Sequence, residues 1–321
     1  NLGLAYREVP NLQLAYDTFA DAINTVELLR GGIYSGDETK QKLAEKYNSI
    51  YLNMIEVCLE LKNYTDAIEY VERSKARNLV ELLANKDIYP ESDIYPNSEI
   101  YQTHCHQLDQ QRRQIPAKQR ELEILISNRK SEEENRDKIK LLRPELNKLQ
   151  QHRDELLAEI NQIDSRFTLT QEVKPIPFSD IKSLTDENTA IVEWYITASQ
   201  ILTFIITQHH PHPIVILSSS EDMTALENWD RDYRDSYQKQ NNQWINNLAD
   251  HLQNLAKILH IDEILSRIDE CFSKSGAKCN RLILIPHRYL HLFPLHALPL
   301  ADGKLLFEQF SQGVGYAPSC H

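Results

Sequence analysis

The sequence has little glycine, no long apolar run and no basic stripe, and each of these absences excludes a class of protein. Only 8 of the 321 residues are glycine, which favours a helix-rich protein with few tight turns. No stretch approaches the roughly 20 apolar residues that a membrane helix requires. The formal net charge is -12, with acidic and basic residues mixed along the chain. A nucleic-acid-binding protein needs a basic face to neutralise phosphate, so neither a nucleic acid nor a membrane is expected as a partner.

Cysteine is scarce as well. The cysteines are Cys58, Cys105, Cys271, Cys279 and Cys320, and they share neither a metal-site nor a disulfide-framework spacing. This pattern favours a reducing, cytoplasmic location, and no cofactor is predicted. No signal peptide opens the sequence, but this has little weight for the location because the first residue is not Met.

The first of three predicted domains covers residues 1–90 and consists of TPR-like helical repeats. The tetratricopeptide pattern has Leu-Gly-x-x-Tyr on its first helix, and this phrase begins at Leu2. The second helix of the pattern has Ala-x-x-x-Phe, and Ala15 and Phe19 have that spacing. Small residues at these positions let two antiparallel helices approach closely. A generic helical bundle is the alternative interpretation.

A second and looser copy of the pattern follows. Its positions are Tyr51, Met54, Cys58, Ala67, Val71 and Ser74. The two copies lie farther apart than the usual ~34 residues, and the glycine-rich stretch 31–37 is predicted to be the loop that explains the excess. The helix that contains Asp66 is expected to continue to Ala84, and the doubled Ile-Tyr-Pro phrase in 87–96 to follow it as a linker. Stacked helix pairs present a concave surface, so protein or peptide partners are expected.

Residues 98–167 are predicted to form a charged helical hairpin. Apolar residues at spacings of three and four form a heptad seam with one charged interruption, and an earlier arm has a shorter seam. The later seam is Leu142, Leu146, Leu149, Arg153, Leu156, Ile160, Ile163 and Phe167, and the earlier one is His104, Leu108, Ile115, Leu122 and Leu125. The polar stretch 128–137 is the predicted turn of an antiparallel coiled coil. Dimerisation through one long helix is the alternative.

The third predicted domain, residues 178–321, follows Pro175 and Pro177 and has α/β texture. The predicted strands are 190–196, 201–206, 214–217 and 281–286, and the predicted helices are 244–259 and 264–272. The last strand ends at a proline, as a buried parallel strand does. Residues Leu282, Leu284, Leu292 and Leu298 are expected to be buried. The whole chain is therefore predicted to be an α+β multidomain protein with a mixed sheet that helices cover.

Three groups of histidine and cysteine residues are candidate metal or catalytic sites. They are His104-Cys105-His106, His209-His210-His212 and the set His287, His291 and His296. Adjacent residues on a helix point ~100° apart, which argues against the first group as a metal site. The second group is expected to be the tip of a turn. The third matches no metalloprotease helix, because nearby prolines exclude a continuous helix, and structural hydrogen bonding is favoured. A metal-dependent hydrolase that uses the third group is kept as a separate hypothesis.

Cys320 and His321 are the two residue types of a catalytic cysteine–histidine dyad. Neighbouring residues rarely direct their side chains at each other, and a nucleophile needs its base within hydrogen-bond reach. No catalytic, cofactor-binding or metal-binding residue is therefore predicted anywhere in the sequence.

One long segment resembles a known family. Residues 282–298 read LILIPHRYLHLFPLHAL, and Asp302-Gly303 and Gly315-Tyr316-Ala317-Pro318-Ser319 follow. The segment closely resembles part of the CHAT domain, a caspase-like cysteine peptidase family related to separase. The resemblance extends upstream through the strands, the hairpin and the TPR-like helices, and so covers essentially the whole chain.

The resemblance implies that residues 178–321 are the first part of a caspase-like α/β domain. In the family, a His and a Cys at the ends of two later strands form the catalytic dyad, in His-Gly and Ala-Cys contexts. Neither context occurs in the sequence up to His321, so the chain is expected to stop before the dyad. It is then the N-terminal regulatory and scaffold portion of such a protease, with TPR-like helices for partner binding. A non-enzymatic TPR adaptor is the alternative function.

Overall fold

The protein combines helices with a mixed β-sheet. The computed structural model describes residues 2–30, 37–84, 99–127, 132–163, 175–239 and 241–320. In this part of the chain, helices predominate before residue 175, and a five-stranded sheet with its own helices follows. The α+β class predicted from the sequence is therefore confirmed.

The chain divides into two compact units. The first comprises residues 1–57 and 73–174, and the second comprises residues 58–72 and 175–321. A short piece of the helical region, 58–72, thus belongs to the unit that contains the sheet. The domain limits 1–90, 98–167 and 178–321 stay predictions.

The helices before residue 175 follow the apolar patterns of the sequence. They are α1 (Leu2–Glu8), α2 (Leu12–Arg30), α3 (Asp37–Glu60), α4 (Tyr64–Ala84), α5 (Glu99–Ser127) and α6 (Glu132–Ile163). Gly3 of α1 is buried, and a Cβ atom built there would lie 2.7 Å from the ring of Phe19 on α2. The two helices therefore approach as closely as a small residue at this position predicts.

Gly3→Ala is expected to destabilise the first unit, although alanine is the better helix former by ~1 kcal/mol. The new methyl group would force the Phe19 ring to move, and overpacking of this kind costs about 1–3 kcal/mol. Urea unfolding should therefore show a lower midpoint than for the wild-type chain. Combining Gly3→Ala with Phe19→Leu should cost less than the sum of the two single changes, because the smaller side chain removes the clash. A higher midpoint for Gly3→Ala would show that the helices do not meet there.

Helices α5 and α6 pack as an antiparallel pair. Nε2 of His104 lies 2.9 Å from Oε2 of Glu159, and Nζ of Lys118 lies 2.8 Å from Oε1 of Glu145. Contacts thus move toward the start of α6 as they advance along α5. Buried residues of the two predicted seams are Leu108, Ile115, Leu142, Leu146, Leu156 and Ile160. The heptad spacing therefore predicted the packing face correctly.

The predicted turn at 128–137 is too long. Helix α6 begins at Glu132, and residues 128–131 lie outside the described residues. The polarity of this stretch was misleading, because Glu, Lys and Arg are good helix formers on an exposed surface. Residues 31–36 of the predicted loop, the linker 87–96 and Phe167 also lie outside the described part of the chain.

The second unit is built on a sheet with the strand order β3-β2-β1-β4-β5. The strands are β1 (Thr189–Ile196), β2 (Ile201–Thr207), β3 (Ile214–Leu217), β4 (Arg281–Ile285) and β5 (Val314–Tyr316). β1, β2 and β3 pair in antiparallel fashion, whereas β4 lies parallel to β1, and β5 lies parallel to β4. The predicted hairpin, third strand and parallel strand are thereby confirmed. β5 was not predicted, because three residues with a central glycine carry no strand signal.

Helices cover one face of this sheet. The helices after residue 175 are α7 (Phe178–Ser183), α8 (Ser220–Lys239), α9 (Asn241–Ile258) and α10 (Ile261–Ser275). Ala190, Val192 and Trp194 of β1 belong to a core that includes residues of α8, α9 and α10. Because side chains alternate along a strand, Glu193 and Tyr195 face the opposite side, where they are also buried. Helix α8 was not predicted from the sequence.

The segment after β4 forms short 3-10 turns, at Arg288–Leu292, Leu295–Ala297 and Leu306–Gln309. Leu282, Leu284 and Leu298 are buried as predicted, but Leu292 is 66 % exposed, so that prediction was wrong. In a 3-10 turn, residues three apart share a side. Leu290 and Phe293 are buried, and Leu292 between them consequently points outward.

Candidate functional site at the carboxyl edge of the parallel strands

Three parallel strands end at the same edge of the sheet. β1, β4 and β5 end at Ile196, Ile285 and Tyr316. α/β proteins place ligand-binding and catalytic side chains beyond the carboxyl ends of such strands. His287 follows β4 and Cys320 follows β5. These strand ends and the segments that follow them, called here the carboxyl edge, are the candidate functional site.

His287 joins the end of β4 to the end of β1. Its Nδ1 accepts a hydrogen bond from the main-chain N–H of Ile196 at 2.9 Å. Its ring also stacks on Tyr195, with centroids 4.4 Å apart and an angle of 19° between the planes. Because a main-chain N–H can only donate, Nδ1 of His287 carries a lone pair in this arrangement. The imidazole therefore acts as a strut between two strands.

His296 forms a second link at this edge, to β5. The phenol oxygen of Tyr316 accepts a hydrogen bond from the main-chain N–H of His296 at 2.8 Å and lies 2.9 Å from its Nδ1. Burial raises the pKa of Tyr316 above its ordinary value, so the phenol keeps its proton at neutral pH and can donate it to Nδ1. His296 thus fastens the turn that contains it to β5.

The third histidine group does not form a metal site. His287 and His296 hold different strands, and His291 lies exposed on a 3-10 turn. Within the described residues, the group of potential ligands whose atoms lie within 4.8 Å of one another is Glu72, Glu193 and Cys320. Because that group contains none of the three histidines, the hypothesis of a metal-dependent hydrolase that uses them together is wrong.

Two glutamates and a cysteine lie together in the interior at the carboxyl edge. Glu72 of α4 and Glu193 of β1 are fully buried, and Cys320 is 7 % exposed. Oε2 of Glu72 accepts a hydrogen bond from the main-chain N–H of Cys320 at 2.5 Å, and Oε2 of Glu193 accepts one from its Sγ at 3.8 Å. Carboxylates and thiolates can bind a divalent cation, but both contacts found here direct protons of Cys320 at carboxylate oxygens. In this arrangement the group is a hydrogen-bonded cluster that holds Cys320.

Three other thiols are buried and hard to ionise. Burial raises the pKa of Cys58 and Cys271 above the ordinary value and that of Cys279 to about 12, with desolvation as the largest cause in each. A cysteine nucleophile needs an accessible thiolate. These three thiols therefore lack the properties of a catalytic cysteine.

The other two histidine groups diverge. His104 contacts Glu159 on α6, whereas His106 is exposed, and the side chain of Cys105 lies outside what the structure describes. The second group lies in the turn between β2 and β3, as predicted. There Nε2 of His209 lies 2.9 Å from the carbonyl oxygen of Glu187, Nδ1 of His210 lies 2.6 Å from that of His212, and Nδ1 of His212 lies 3.3 Å from Oγ1 of Thr65. Neither group converges on a common point.

Comparison with known proteins adds no relationship. No protein-family model matches this chain, and no curated protein sequence matches it significantly. Among the residues that the structure describes, no helix is sufficiently long and apolar to span a bilayer. Function therefore has to be inferred from the residues and their geometry.

Glu72 and Glu193 are the site residues that were not predicted from the sequence. Glu193 did have a signal, because it is the charged residue in the otherwise apolar or uncharged run 189–196. A charge in a fully buried strand has to be compensated, so it indicates a specific partner. Glu72 lies on a helix with other glutamates at 69 and 81, and nothing in the sequence distinguishes it from these.

Glu69 predicts a pH dependence of stability. Desolvation raises the pKa of its carboxyl, a hydrogen bond from the main-chain N–H of Phe178 opposes this, and Asp66 adds to the increase. Because the pKa is higher in the folded state, the stabilising contribution is complete at acidic pH and is lost as the pH rises through the raised pKa. Glu69→Gln should remove this loss, so the urea midpoint of the variant relative to wild type should rise between pH 4 and pH 7. The exposed Glu8→Gln serves as control, and a pH-independent difference for Glu69→Gln would contradict the prediction.

Proposed function

We propose that this chain is the regulatory and scaffold portion of a CHAT-type, caspase-like cysteine protease, in which TPR-like helices bind protein or peptide partners. The observation that carries the proposal is the placement of the segment that resembles the CHAT domain. Its first residues form β4, which lies parallel to β1 at the centre of the sheet, and its next residues lead into the carboxyl edge.

The chemistry of such a protease is consistent with this edge. Thiolate attack on a peptide carbonyl needs a cysteine and a histidine base that two strand ends can bring together. At the carboxyl edge, His287 and His296 serve as struts between strands and turns. The thiol of Cys320 donates a hydrogen bond to Glu193. In the proposal, these residues support the site, and none of them is the catalytic His or Cys of the protease.

The partner-binding part of the proposal is supported at α1 and α2. The close approach at Gly3 is the packing that a TPR-like helix pair requires. Large apolar side chains nearby are exposed to solvent, namely Leu2, Leu4, Val9 and Leu14. In the proposal, these side chains contribute to the surface that a partner covers.

A non-enzymatic TPR adaptor is the second candidate. It is consistent with the buried thiols, as the first candidate is, because Cys58, Cys271 and Cys279 all have raised pKa values and thus low reactivity. In that case the α/β unit has a structural role only.

Peptide cleavage by the chain itself is the direct test of the scaffold assignment. Purified protein should not turn over a peptide library, and a tagged electrophilic peptide probe should label no cysteine selectively. Selective labelling of Cys320 that His296→Ala abolishes would overturn the proposal, because it would show a dyad among these residues. The same assay with an active cysteine protease provides the positive control for probe and library.

A further inference from the structure

One side of the first part of helix α4, which belongs to the second unit, contacts three other segments of the same unit. Thr65, Glu69 and Glu72 are spaced by four and three residues, which places them on one side of the helix. Oγ1 of Thr65 lies 3.3 Å from Nδ1 of His212, Oε1 of Glu69 accepts from the N–H of Phe178 at 2.7 Å, and Oε2 of Glu72 accepts from the N–H of Cys320 at 2.5 Å. These three residues are called here the polar stripe.

Of the three contacts, the one made by Glu72 is the most deeply buried, and we therefore expect it to be the strongest. Glu72 is fully buried and Cys320 nearly so, whereas Thr65 and Glu69 are partly exposed. A hydrogen bond from a main-chain N–H to a carboxyl oxygen is stronger where water is excluded. Loss of Glu72 should therefore affect its partner segment more than loss of Glu69 affects the start of α7.

Hydrogen bonds hold the partner segment, residues 317–320, at its first and at its last residue. The N–H of Ala317 donates to the carbonyl oxygen of Leu284 at 3.0 Å and so extends the pairing of β5 with β4. Pro318 has no N–H to donate. The N–H of Cys320 is then held by Glu72, and its thiol by Glu193. Two buried carboxyl groups thus contact the chain beyond the last rung of the sheet.

We propose that Glu72 is a positioning residue, which fixes the chain at Cys320 and makes the carboxyl edge depend on the position of α4. Helix α4 also contains the second-helix positions of the second copy of the predicted TPR-like pattern. In the proposed function, on which this consequence rests, the first part of α4 is the element that holds the segment that leaves β5. A displacement of the polar stripe would release that segment.

Alkylation of individual thiols tests this proposal. Iodoacetamide labelling of Glu72→Ala, resolved by peptide mass spectrometry, should be about 10- to 100-fold faster at Cys320 than in wild type, because the buried N–H of Cys320 would lose its acceptor. Cys271 and Cys279 in the same sample should keep their rates. Glu72→Gln retains an acceptor oxygen, so its Cys320 rate should fall between those of wild type and Glu72→Ala. Glu69→Ala, on the same side of α4, is the matched control and should leave Cys320 unchanged.

Two outcomes would overturn the proposal. One is an unchanged rate at Cys320 in Glu72→Ala, and the other is an equal acceleration of Cys271, Cys279 and Cys320, which indicates general loosening of the fold. If Glu72→Ala does not fold, Glu72→Gln decides alone, because a faster rate confined to Cys320 supports the proposal and an unchanged rate contradicts it. The result does not depend on peptidase activity, so its failure is distinguishable from failure of the proposed function.

Discussion

Replacing Leu284 by alanine is expected to lower the free energy of unfolding of the second unit by about 2–5 kcal/mol. Leu284 lies on β4, is fully buried, and belongs to the core between the sheet and the helices α8, α9 and α10. Removing its side chain leaves a cavity that the surrounding strands and helices fill only in part. Urea unfolding followed by circular dichroism measures the loss.

Leu292→Ala is the matched control for this prediction. Leu292 lies in the same segment but is 66 % exposed, so its replacement should change the free energy of unfolding by less than about 0.5 kcal/mol. Leu284→Asp should prevent folding of the second unit, because it would bury an uncompensated charge. Equal losses for Leu284→Ala and Leu292→Ala, or an unchanged melting temperature for Leu284→Asp, would contradict the position of β4 in the core.

The thiol of Cys279 should react roughly 10³-fold more slowly at pH 8 in the folded chain than in urea, because its thiolate is scarce. Burial raises its pKa to about 12, and its Sγ donates a hydrogen bond to the carbonyl oxygen of Arg281 at 3.3 Å. The labelling rate in the folded chain should rise about tenfold for each pH unit above 8. Iodoacetamide labelling at a series of pH values, quenched at set times, measures this rate.

The same pKa predicts how Cys279 affects stability. Since its pKa is higher in the folded state than in the unfolded state, its contribution is complete below about pH 8.5 and is lost as the pH rises toward 12. Cys279→Ala should therefore lose less stability between pH 8 and pH 10 than wild type does. A labelling rate that levels off near pH 9 would show that the thiol titrates as an ordinary exposed cysteine.

Elements with strong local patterns could be predicted from the sequence. The apolar runs that became β1, β2, β3 and β4 are short and rich in β-branched or aromatic residues, which favours strands over helices. The seam of α6 has the spacing of a packed helix, and its residues Leu142, Leu146 and Leu156 are buried. Gly3 was predicted to be a point of close helix approach, and its contact with Phe19 provides the steric reason.

Features that depend on tertiary contacts could not be predicted. β5 has only three residues, and it forms because it can pair in parallel with β4. No local sequence pattern predicts such a pairing. Leu292 has the hydrophobicity of a core residue, but the 3-10 turn directs it outward. Glu72 becomes a site residue because a segment 248 positions away along the chain brings an N–H to it.

The sequence of the gene beyond the codon for His321 is the measurement that tests the proposed function most directly. A regulatory and scaffold portion of a CHAT-type protease predicts a continuing reading frame that encodes a His-Gly and then an Ala-Cys context, each at the end of a strand-like apolar run. A non-enzymatic adaptor predicts neither. A reading frame that closes directly after His321, or that continues without both contexts, would contradict the assignment to a CHAT-type protease.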